Sequence, residues 1–114
     1  MKFNLVFTIC PADKTQEVVD AAKAAGATGA TIVHVRGTGS NEAKTFFGLT
    51  LDRPQEAFIT LVEKRTCQKI LKAIYDAGDM KKPGNGISFS LPVESVVGLE
   101  SQLLTLKKEA EENL

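Results

Sequence analysis

The chain has 114 residues, 43% of them hydrophobic and 25% charged, with 14 Lys and Arg balanced by 14 Asp and Glu. That length suits a single domain, 1–114, able to bury a core without metal or disulfide support. The balanced charge lacks the cation surplus with which a nucleic-acid binder neutralises phosphates, so nucleic acid is excluded as an expected partner.

The first element is a strand. Phe3, Leu5, Phe7 and Ile9 alternate with Lys2, Asn4 and Thr8, the period of a strand with one buried face, with Val6 breaking the polar side. Asn4 and Thr8 interrupt the apolar run and no small-x-small cleavage site follows, so it does not read as a signal peptide. Pro11 ends the strand. Asp13, with Gln16 three residues on, offers a capping box for a helix from Lys14 to Ala25, whose stripe is Val18, Val19, Ala22 and Ala25. Gly26 stands where a left-handed residue closes a helix.

Thr31 to Arg36 is a β-branched second strand, followed by a polar loop from Gly37 to about Lys44. Phe47, Leu49 and Leu51 then share a face, 52–55 reads as a turn, and Ala57, Ile59 and Leu61 continue the alternation, which together predict a hairpin. Thr66 is a candidate cap for a second helix carrying Cys67, Ile70, Leu71, Ile74 and Tyr75 on one face, stopped by Gly78. A loop, 79–86, leads into Ile87, Phe89, Leu91 and Val93, which alternate with Ser88, Ser90 and Pro92. Pro92 marks a strand end or an edge, because it has no N–H to give. From Leu99 the pattern is helical, with Leu99, Leu103, Leu106 and Ala110 near one face and Glu109, Glu111 and Glu112 exposed.

The order strand–helix–strand, twice over, predicts an α+β fold: a ferredoxin-like βαββαβ sandwich with an antiparallel sheet, two helices on one face and a C-terminal helix. The other face then needs cover, which sheets from further copies can supply. No run approaches the ~18 apolar residues of a membrane span. Cys10 and Cys67 form no CxxC pair and read as buried residues of a reducing compartment, so a cytoplasmic location is expected, without membrane insertion. His34 is the sole histidine, and Glu42, Asp52 and Glu56 show no paired-carboxylate spacing. No enzyme, metal or cofactor is expected.

Two runs carry a resemblance. Residues 26–33, followed by Arg36-Gly37-Thr38-Gly39, resemble the stretch before the T-loop of PII nitrogen-regulatory signalling proteins. Pro83-Gly84-Asn85-Gly86 and the strand after it resemble their B-loop, and the match covers about 2–98. PII proteins are homotrimers that bind adenine nucleotides between subunits and regulate transporters, enzymes or transcription factors through the T-loop. The resemblance therefore implies a signal-transduction protein that binds AMP, ADP or ATP through Thr31, Gly37, Thr38, Gly39, Val62, Lys82, Gly84 and Gly86. It also implies an unidentified target protein met through the loop 38–45, with Ser40, Asn41 and Glu42 as contacts. Just past the loop, alternation turns one of Phe46 and Phe47 outward, and Phe46 is the further partner contact expected.

Glycines let a backbone approach an anion and aim N–H groups at it, although glycine turns without ligands are common. Several positions depart from the family pattern. Ile87 stands where a Lys follows the B-loop glycines, Gly98 and Glu100 replace two Arg, and Lys81 and Lys82 are the available substitutes. Losing those charge-assisted contacts disfavours a triphosphate. The T-loop tyrosine is missing, and Asn41 and Gln55 stand where Gln and Lys serve magnesium and 2-oxoglutarate. The alternative reading is a trimeric interaction module without a small-molecule ligand, similar to the divalent-cation-tolerance proteins.

Overall fold

The computed structural model of the chain describes residues 2–35, 45–46, 49–50 and 54–99. Its elements are β1 (Phe3–Pro11), α1 (Thr15–Ala24), β2 (Thr31–Val35), β3 (Thr45–Phe46), β4 (Leu49–Thr50), β5 (Gln55–Glu63), α2 (Lys64–Ala77) and β6 (Ile87–Val93). Four strands form one antiparallel sheet in the order β2-β5-β1-β6. Both helices pack on one face of it, which is the predicted ferredoxin-like α+β arrangement. The predicted C-terminal helix lies outside the described residues.

The register fixes which side chains meet. Val6 pairs with Thr60 and Ser90, and Phe7 with Ile59 and Phe89. Even-numbered residues of β1 therefore face the helices. Val6, Phe58 and Val62 join Val18, Val19 and Ala22 of α1 and Cys67, Ile70 and Ile74 of α2 in the main core, all at or near zero exposure. Thr8 is also fully buried on this side, its hydroxyl satisfied by that of Ser88 at 2.8 Å.

This reverses the one-face reading of β1. The alternating set Phe3, Leu5, Phe7 and Ile9 points away from the helices, to the open face of the sheet. There Phe7 stacks on Phe89 with centroids 5.3 Å apart, and Ile9 and Ala57 form a small second cluster. Val33, Phe89 and Leu91 remain 42%, 40% and 50% exposed. The uncovered side of the sheet is thus a contiguous, partly exposed apolar patch.

Local signals were partly displaced. Residues 12–14 form a 3₁₀ turn and α1 starts at Thr15, with no side-chain cap. Gln16 donates to Asp20 one turn on, at 2.8 Å, instead of closing a box with Asp13. Lys64 begins α2 two residues before Thr66, whose hydroxyl donates to the Glu63 carbonyl. At the other end of α1 the expectation holds. Gly26 has φ 125°, Gly26 N–H donates to Lys23 and Ala27 N–H to Ala22, a Schellman close.

Two further readings are corrected. Tyr75 is 46% exposed, because the fifth position of its stripe turns past the sheet edge. The predicted hairpin is not made between 45–51 and 57–61. Thr45–Phe46 pairs with Leu49–Thr50, while β5 pairs with β1 and β2, whose longer apolar partners outcompete a local turn. Pro92 sits on β6, an edge strand, as its missing N–H requires.

Candidate functional site

The loop between α2 and β6 is wired to itself. Gly78 caps α2 and Asp79 takes a left-handed φ of 49°. Lys82 and Asn85 N–H groups donate to the Asp79 and Lys82 carbonyls, and the Asn85 amide donates to Asp79 O at 2.9 Å. Gly84 and Gly86 have φ of 89° and 135°. Gly86 also lies so near β1 that a Cβ there would stand 2.6 Å from the Ile9 carbonyl oxygen and 3.2 Å from Cys10 Cβ. Its glycine is thus demanded by the fold itself, whatever the loop binds.

The cation nearest these glycines is already engaged. Lys82 Nζ lies 3.2 Å from an Asp79 carboxylate oxygen, with both side chains well exposed. Such a pair holds the ammonium weakly and leaves it able to turn to another anion.

The second cluster of predicted residues lies at the start of β2. Thr31 lines a depression of about 250 Å³ with Thr28, Ile59, Thr60, Leu61 and Leu99. The Thr60 hydroxyl donates to the Gly29 carbonyl and pins the turn 28–30 to β5. No charged side chain lines this depression among the described residues, so it suits an uncharged, flat or apolar group. Val62 is not in it. Strand alternation sends that side chain into the core at 3% exposure, leaving only its main chain to meet a ligand. Leu61 lines the depression instead, and the spacing Ala57, Ile59, Leu61 already carried that signal.

The sheet order decides how the two glycine segments relate. Val35, the last described residue before Gly37, pairs with Gln55, which pairs with Pro11; Ile87, just after Gly86, pairs with Ile9. The end of β2 at Val35 and the start of β6 at Ile87 therefore lie at the same end of the sheet, but on its two opposite edges, three strand spacings or roughly 14 Å apart. Gly37, Thr38, Gly39, Ser40, Asn41 and Glu42 lie outside the described residues. Phe46 is described only as backbone of β3, paired with Leu49.

A model of the nitrogen regulatory protein P-II family matches residues 3–102. The chain belongs to the P-II family. Among solved structures this P-II chain is similar to a PII-like signalling protein from Thermus thermophilus, at 21% identity and a TM-score of 0.64, covering 88% of this chain and 95% of that one. It is also similar to Arabidopsis thaliana PII bound to citrate, at 24% identity and a TM-score of 0.65, covering 87% of this chain and 82% of that one. At such identities the likeness establishes the shared fold. No curated protein sequence matches the chain.

The remaining titratable groups of this P-II chain read as structural. Burial pushes the Cys10 thiol above its ordinary range; a contact with Thr15, 3.8 Å away, partly offsets this, and the Glu56 and Asp13 charges add to it. A thiol held protonated and fully buried is no nucleophile. His34 Nδ1 lies 3.5 Å from Glu56, with the imidazole 88% exposed, a surface contact of small energy. Among the described residues no three His, Cys, Asp or Glu side chains converge as metal ligands, and no helix is long and apolar enough to cross a membrane.

Proposed function

We propose that the chain is a homotrimeric, non-enzymatic signal-transduction protein of the cytoplasm. It binds an adenine nucleotide or small metabolite in clefts between copies and regulates a partner protein through the loop 38–45. The partner is a protein of the transporter or nitrogen-metabolism enzyme class. The carrying observation is that β2, which ends at Val35 two residues before Gly37 in sequence, and β6, which begins directly after Gly86, are the opposite edge strands of one sheet. Two copies side by side bring one edge of each together; a single copy keeps them apart. The uncovered apolar face of Phe7, Phe89, Leu91 and Val33 supplies the driving force for that assembly.

The ligand class follows from charge. Thr31 and Leu61 offer an uncharged platform for a base, while Lys82, in the glycine loop before β6, is shared with Asp79. This favours AMP or ADP over ATP, since each added phosphate needs a cation that Ile87 and Gly98 do not supply. The Arabidopsis relative is bound to citrate, a small anion, which is in keeping with an anion-accepting site. Titration calorimetry with AMP, ADP and ATP tests this reading. Heat from AMP or ADP exceeding that from ATP supports it, and silence from all three removes the nucleotide.

The same shortage of cations favours a second reading, a trimeric interaction module with no small ligand. A pull-down whose bound proteins are indifferent to added nucleotide selects this second reading over the first.

A further inference from the structure

Asp79 breaks two local preferences at once. α2 ends at Ala77, Gly78 caps it, and Asp79 takes the left-handed position after the cap, with φ 49°. Asp79 N–H donates to the Asp76 carbonyl and Met80 N–H to that of Tyr75, the paired bonds of a Schellman close. That position favours glycine, and an aspartate there costs backbone strain. The end of a helix also favours a cation, because its free carbonyls are negative, whereas Asp79 brings a carboxylate. Neither the backbone nor the helix calls for this side chain, and such departures gather at functional positions.

What the carboxylate meets is Lys82, whose Nζ lies 3.2 Å away. The loop's own bonds use the main chain of Asp79 instead. Its carbonyl accepts from the Lys82 N–H at 3.1 Å and from the Asn85 amide at 2.9 Å. The side chain is therefore turned to the cation two residues before Gly84. We infer that Asp79 is a specificity-determining residue, a tethered counter-anion that limits how much negative charge the loop 79–86 accepts. The inference rests on the reading of that loop as the phosphate-facing part of the proposed cleft.

An exposed pair of this kind adds little to stability, but its tether is three residues long. The carboxylate thus stays beside the ammonium at high effective concentration, and a phosphate has to compete with it. An anion on the far side of Nζ, at a hydrogen-bond length of about 2.8 Å, stands roughly 6 Å from the Asp79 oxygen. At that separation, in surroundings close to water, each negative charge on the ligand is disfavoured about threefold at low salt. Going from AMP to ATP adds about two charges, so Asp79 weighs roughly tenfold against the triphosphate.

Titration calorimetry of the full-length chain with AMP, ATP and inorganic tripolyphosphate tests this, for wild type, Asp79→Asn and Asp79→Gly. Asn keeps the size and tolerates a left-handed backbone, and Gly suits it better, so both variants keep the loop. Circular dichroism checks each fold. Both are expected to gain about tenfold more affinity for ATP than for AMP, and to bind tripolyphosphate more tightly than wild type does. The gain should shrink at high salt and vanish when Lys82→Gln is added, whereas a merely structural change would move AMP and ATP together. Tripolyphosphate carries no base, so it reads the loop independently of the nucleotide. Tighter tripolyphosphate binding by the variants with no nucleotide bound by any protein removes the nucleotide and upholds the role of Asp79. Nucleotide binding at one unchanged ATP-to-AMP ratio, with tripolyphosphate binding unchanged, does the reverse. The inference is overturned whenever the variants alter neither that ratio nor tripolyphosphate binding, silence from every anion included.

Discussion

Gly86 and Ile9 approach so closely that the space for a side chain at position 86 is taken by the Ile9 carbonyl oxygen, 2.6 Å from where a Cβ would stand. This contact fastens the loop 79–86 to the end of β1, and with φ at 135° it admits glycine alone. Gly86→Ala is therefore expected to lose roughly 2–4 kcal/mol, from backbone strain plus displacement of β1. Urea unfolding should show a lower midpoint at unchanged slope; a wild-type midpoint would contradict the contact.

Phe58 lies at the centre of the helix–sheet core with no exposed surface. Phe58→Ala should cost about 3–5 kcal/mol, the range for an aromatic deleted from a rigid interior. Ile59, next to it in sequence, falls on the open face by register with Phe7, so Ile59→Ala should cost less in the isolated fold and act mainly on the proposed assembly. Paired denaturation curves at low protein concentration separate the two.

Phe89 and Leu91 sit on the uncovered face, 40% and 50% exposed. Phe89→Asp places a charge where the proposed assembly packs one copy against another, and a desolvated unpaired carboxylate is strongly unfavourable. The variant should elute as a monomer with near-native circular dichroism. An unchanged elution volume would place the interface elsewhere.

Burial raises the Cys10 thiol pKa in the folded state above its unfolded value. The unfolded chain then loses this proton first as pH rises, binds fewer protons than the native state, and gains stability relative to it. Folding stability should be undiminished below the ordinary thiol range, about pH 8.5, and fall as pH climbs from there toward the raised value. Cys10→Ala removes that slope. Urea midpoints from pH 7 to 10 measure it, and parallel curves for both proteins would reject the assignment.

The sequence carried the order of elements because each has a clear period and a clear stop, such as Gly26 after α1 and the alternation from Ile87 to Val93. It misjudged faces where two surfaces are both apolar. Phe3, Leu5, Phe7 and Ile9 look like a core set, yet the helices cover Val6, Thr8 and Cys10, and the bulkier set lies on the open face of the sheet. Caps failed for a related reason. Asp13 and Thr66 have the right chemistry, but tertiary packing began α1 after, and α2 before, the residue expected to cap it. At the candidate site Gly84 and Gly86 take the positive φ that glycine tolerates best, a backbone need their residue type already signals. Leu61 was passed over for Val62, one residue on, and a slip of one residue along a strand exchanges the solvent side for the core.

Sedimentation equilibrium of the wild-type chain across micromolar concentrations bears most directly on a ligand cleft shared between sheet edges. A single species of three 12.3 kDa chains is the predicted result. A lone monomer throughout that range would leave β2 and β6 with no neighbour, and the cleft with only one of its walls.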